Sequence, residues 1–137
     1  MSNESRRLAA ILLIVFPTVM YGGVSILHLL ISNASYAENG LRQDLWRAGH
    51  AHAGVFLILS LVVLRYVDEA NLSERAKAVI RHLPPLAAIL LPAAFFLSML
   101  SANATQPNSS IYLAYVGALV LAVSLVWLGI GLLRRHP

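Results

Sequence analysis

Three histidines carry the most pointed chemistry in this chain: His28, His50 and His52. His28 falls toward the end of one long apolar run, and His50 and His52 open the next. An ionisable side chain at membrane depth is costly and marks a functional site by default. If consecutive runs cross a bilayer in opposite directions, the three imidazoles share one depth, in its outer part. Two imidazoles from facing helices suit the axial positions of a haem. Two or three imidazoles with a thioether suit copper instead, with His28, His50 and Met99 as the donor set. The same histidine cluster fits two other roles. One is hydrogen-bonded glue between helices. The other is a relay for protons or a small molecule, since histidine titrates near neutral pH.

Helical phase sharpens the choice of residues. Pro17, Tyr21, Ser25 and His28 recur at helical spacing and form one polar stripe. His50 and His52 stand about 200° apart on their helix, so they face different ways. His50 shares its face with Ala53, Gly54, Leu57 and Ser60, small residues that leave room for a flat cofactor or a close helix. His52 shares its face with Val55, Phe56 and Leu59. The expectation is His50 inward, with His52 beside it or at a helix interface. Tyr21, Ser25, Tyr112 and Tyr115 are the expected polar neighbours of the cluster. For Tyr112 and Tyr115 an interfacial aromatic belt is the simpler reading, and for Met99 it is plain packing. His82 and His136 lie in basic surroundings and read as solvated.

The elements that must position these residues are four apolar spans, at about Leu8–Ile31, Ala48–Leu64, Leu83–Leu100 and Ile111–Leu133. Each is near the roughly 20 residues that cross ~30 Å of hydrocarbon as a helix. Of 137 residues, 58% are hydrophobic and 12% charged, about half the charged share of a soluble domain. The fold class expected is all-α: an integral membrane four-helix bundle, forming a single transmembrane domain over residues 1–137. There is no cysteine, which excludes disulfides, thiolate metal sites and cysteine nucleophiles. No hydrolase or phosphate-loop motif is present.

Basic residues set the expected orientation. Arg6, Arg7, Arg65, Arg75, Lys77, Arg81, Arg134 and Arg135 fall on one side of the spans. Only Arg42 and Arg47 fall on the other, which places both termini in the cytoplasm. The net charge of +4 is then a topology signal, and no nucleic-acid partner is expected. Span 1 is too long for a signal-peptide core, so it is read as retained. Between spans 2 and 3, Asn71 and Glu74 suggest a capping box for a short helix, which Pro84-Pro85 ends before span 3. The outer loop Ser32–Trp46 places Trp46 at the headgroup level. Pro17 and Pro92 are expected to kink their helices, and Gly49 with Ala53 makes a small-residue packing pair.

The stretch Arg47-Ala48-Gly49-His50-Ala51-His52-Ala53-Gly54, running into Val55–Ser60, resembles the histidine-bearing helices of haem–copper oxidase subunit I and nitric-oxide reductase. There, a histidine near the outer end of a span ligates haem, ahead of small residues and an apolar run. It is also similar to small four-span bacterial membrane proteins with His-Ala-His opening span 2. The resemblance covers about fifteen of 137 residues. It implies at most a haem b site on His50 or His52, in a bacterial inner membrane. The pairing with His28 comes from topology, not from the family. The other spans, second histidine cluster and copper-site histidine pair of the oxidases are missing, so the chain is no self-contained oxidase. The functional expectation is a small membrane protein with a haem or metal site, serving electron transfer or sensing. The alternative is a non-catalytic accessory subunit, as a homo-oligomer or within a larger membrane complex. A small transporter ranks last, because the spans hold no acidic residue.

Overall fold

The structure is a computed structural model that describes residues 1–134; Arg135 and His136, counted above as basic and solvated, lie outside the described residues. Its helices are α1 (Asn3–Ser32), the one-turn α2 (Ala34–Ala37), α3 (Gly40–Tyr66), α4 (Glu74–Ser98) and α5 (Leu113–Leu133). Short 3-10 turns at Val67–Glu69 and Ser109–Tyr112 complete it, and there is no strand among the described residues. The all-α four-helix bundle is therefore as expected. The four long helical stretches are long and apolar enough to cross a membrane.

Helices α1 to α4 each start where a short polar side chain satisfies a free backbone N–H group, whereas α5 continues from the 3-10 turn before it without a side-chain cap. Ser2 caps α1, Asn33 caps α2 and Asn39 caps α3. Two expectations need correction at α4. Its cap is Ser73, whose hydroxyl accepts from the Ala76 N–H, so Asn71 and Glu74 form no capping box. Nor does Pro84-Pro85 separate two helices, because α4 runs unbroken through both prolines. The physical reason is burial. Ala76, Ile80, Pro84, Ala87, Leu91, Ala94 and Ser98 are all buried and recur every three or four residues. That single stripe packs on both sides of the proline pair and holds it helical against the lost hydrogen bonds. The segment Ser32–Trp46, expected as a loop, is largely helical, since it holds α2 and α3 already begins at Gly40.

The helices line up in the order α1, α3, α4, α5. Helix α4 packs on both α3 and α5, and α1 leans mainly on α3. Glycine lets the helices approach closely at several places, two of them on α4. A Cβ on Gly49 would stand 3.1 Å from the Phe96 ring, and one on Gly117 would stand 3.1 Å from the Leu91 backbone nitrogen. The buried Ser60 and Ser124 hydroxyls donate back to Phe56 and Leu121 carbonyls of their own helices, so no polar group is stranded there.

Polar contacts tie both ends of the bundle. At one end the Asn71 N–H donates to the Gly131 carbonyl. Nearby, Arg81 gathers Glu4, Ser5 and Asp68 from three segments. At the other end Arg42 donates to the Leu100 carbonyl and Asn39 to that of Ala104.

Candidate functional site

His50 sits on the face of α3 turned to α1. A Cβ on Gly23 would lie 2.8 Å from its Nε2 and 3.0 Å from its Cε1. Only a glycine leaves room for the imidazole at this point, so Gly23 and His50 form a notch and a knob between the two helices. Beside them opens a groove of about 370 Å³, where His50 is the one polar side chain among Phe16, Val19, Met20, Gly54 and Val55. His50 makes no hydrogen bond to any described residue.

His52 faces the other way, as its phase requires. Its ring stands edge-on to Phe56 at 5.5 Å and tilted against Phe95 of α4 at 5.6 Å. Its Nδ1 lies 2.7 Å from the Ala48 carbonyl. A carbonyl only accepts, so Nδ1 carries the proton and Nε2 keeps the lone pair in the neutral ring. That is the tautomer a metal-binding imidazole uses.

His28 joins neither. It is exposed, and its Nε2 lies 3.2 Å from the Ser32 hydroxyl. Five residues beyond Gly23, it stands about 140° round α1 and about 7.5 Å further along, away from α3. The rest of its stripe also points outward: Tyr21 is 74% exposed, and the Ser25 hydroxyl donates to the Tyr21 carbonyl. Met99 is fully buried at the end of α4. Tyr112 and Tyr115 stack at 6.2 Å on the exposed surface. The structure therefore assembles neither the His28–His50 pair nor the His28–His50–Met99 set within one chain. Among the described residues, no three His, Cys, Asp or Glu side chains converge to hold a metal.

Sequence reasoning missed a second polar centre, near the start of α3. The Arg42 guanidinium lies 4.4 Å over the Trp46 ring and 5.9 Å from that of Tyr36. Trp46 in turn packs at 5.6 Å on both Tyr36 and Phe96, so it is held within the protein. Tyr36 is 1% exposed, and burial pushes its phenol pKa up while the Arg47 and Arg42 charges oppose the shift. The Tyr36 hydroxyl, Arg42 Nε and Trp46 Nε1 have no protein partner among the described residues. The spacing of Arg42 and Trp46, one helical turn apart, was the available signal.

Comparison with known protein families, curated proteins and solved structures finds no match for this chain.

Proposed function

We propose that this protein is a non-catalytic subunit of a membrane assembly and meets its partner through α1. The observation that carries the reading is the outward stripe of Tyr21, Ser25 and His28 on a helix that buries only Ser5 and Leu12. Polar side chains in a span face a bundle interior or a neighbouring helix far more often than lipid. Here the chain's own bundle lies on the other side of α1, so a second membrane chain is the natural cover. The absence of cysteine makes the test direct. Single cysteines at Tyr21, His28 and Leu27 are spin-labelled in reconstituted native membranes. Labels at 21 and 28 are expected to be shielded from dissolved oxygen, with the label at 27, exposed but about 100° round the helix from His28, accessible. Equal oxygen accessibility at all three sinks the reading.

A second reading is favoured by the His52 tautomer. With Nδ1 donating to the Ala48 carbonyl, Nε2 of His52 would be the nitrogen to hold a haem b or a copper ion. A bound haem would supply one-electron chemistry for electron transfer or sensing. Among the described residues His28 and His50 face elsewhere, so a second ligand would come from a partner. A haem absorption band lost in His52→Ala and kept in His50→Ala is expected. Protein purified from its native membrane without haem or metal overturns it.

A further inference from the structure

Of the four described histidines, His28, His52 and His82 each have a ring nitrogen within hydrogen-bond distance of a protein oxygen, whereas His50 has none. Neutral or cationic, an imidazole keeps at least one N–H. Within hydrocarbon no water meets that donor, and leaving it unmet is costly. The ring borders the groove of about 370 Å³ between α1 and α3, a volume within the roughly 300–1,000 Å³ of small-molecule sites. From His50 the groove follows α3 for eight residues to Ile58, about 12 Å at 1.5 Å per residue. Ala51 and Gly54 give it a nearly flat floor, and Phe16 and Met20 stand on its α1 side. Met20 and Val55 are both more than half exposed, so the groove opens sideways from the bundle.

We propose that this groove binds a membrane quinone, a flat ring whose carbonyl oxygen accepts from His50 and whose isoprenoid tail runs along α3 toward Ile58. An acyl chain alone would fill the groove and leave the imidazole unmet. A phospholipid ester carbonyl would meet the N–H but bring a branched glycerol backbone to a slot floored by Ala51 and Gly54. A planar ring fits that slot, and Phe16 and Met20 offer the aromatic and thioether contacts that a ring uses. A sideways opening suits a ligand that arrives through the lipid. The proposal rests on the four helices crossing a membrane. It goes beyond the α1 partner and is independent of it, because the groove face of α1 lies about 140° round the helix from the Tyr21–His28 stripe.

The test is equilibrium dialysis of the full chain in detergent against ubiquinone carrying a single isoprene unit, with empty micelles as the blank. Saturable binding is expected, with the infrared carbonyl band of the quinone moved to lower wavenumber. His50→Phe keeps an aromatic ring but no N–H. It should bind about fivefold more weakly, the worth of one hydrogen bond, and abolish the band shift. Gly54→Leu tests the slot without altering the imidazole. A Cβ at Gly54 meets only Val19, at 3.9 Å, so the variant should fold while the rest of its side chain fills the floor and removes binding. Melting temperatures that match the parent's separate loss of the site from loss of the fold. Should His50→Phe melt below the parent, Gly54→Leu and the parent's band shift decide. No saturable binding overturns the proposal, and so does binding that either well-folded variant leaves unchanged. Displacement of the quinone by equimolar phosphatidylcholine, with the ester band shifted in its place, also overturns it, in favour of bilayer lipid.

Discussion

Arg81 allows the sharpest energetic prediction. Its side chain is 3% exposed and holds three partners: Asp68 Oδ1 at 2.7 Å, Glu4 Oε2 at 2.8 Å and the Ser5 hydroxyl at 3.0 Å. The two carboxylates are not equal. Glu4 is 76% exposed, so its pairing is worth at most about 1 kcal/mol. Asp68 is 15% exposed, and its other oxygen accepts the Ser2 N–H at 2.7 Å. Asp68→Asn keeps the shape but leaves a buried guanidinium with its weak partner only. Breaking a buried pair costs about 3–5 kcal/mol. The remaining Glu4 contact places this case near the lower end, at about 3 kcal/mol. Removing both charges, as Arg81→Met with Asp68→Asn, should cost less than Asp68→Asn alone, because no charge is then stranded. Reversible unfolding by SDS in mixed micelles reads these two variants and Glu4→Gln on one scale. The reasoning fails if Asp68→Asn stays within about 0.5 kcal/mol of the parent, or if Glu4→Gln costs as much as Asp68→Asn.

Other perturbations probe the packing. Gly23→Ala puts a methyl group on the His50 ring and should destabilise by about 1–3 kcal/mol, but be nearly neutral in a His50→Ala background. Gly117→Ala should cost at least as much, since the Leu91 backbone cannot step aside, whereas Gly129→Ala meets nothing within 4 Å and should stabilise by up to about 1 kcal/mol. Tyr36 sets a pH dependence: its folded pKa is raised above the ordinary 10.0, so its contribution is intact below pH 10 and lost as pH climbs through the raised value. The SDS midpoint should therefore fall at alkaline pH in the parent and fall less in Tyr36→Phe, which at neutral pH also removes an unpartnered hydroxyl. Identical alkaline curves for the two proteins contradict this account.

Much of the fold was legible in one dimension because lipid leaves few options. Apolar runs of membrane length must be helices, and the basic residues mark one end of them. Helical phase also placed His50 and His52 on opposite sides of α3, since 100° per residue is a property of the helix itself. Phase says nothing about which neighbour lies on each side. The sequence therefore put His28, Tyr21 and Ser25 with His50 on depth alone, whereas packing turned that stripe outward and offered Gly23 to the imidazole.

The same limit hid Arg81 and the proline pair. In the sequence Arg81 was one more marker of sidedness, and its partners Glu4 and Asp68 are distant in the chain. Pro84-Pro85 read as a break because local hydrogen bonding disfavours proline within a helix. Burial of one continuous face of α4 outweighed that preference. What the sequence alone determined was the number of long apolar helices and the angular order of side chains on each. Which faces meet, and so which polar groups are buried, paired or left open, was decided by tertiary packing, because those contacts join residues that no local rule connects.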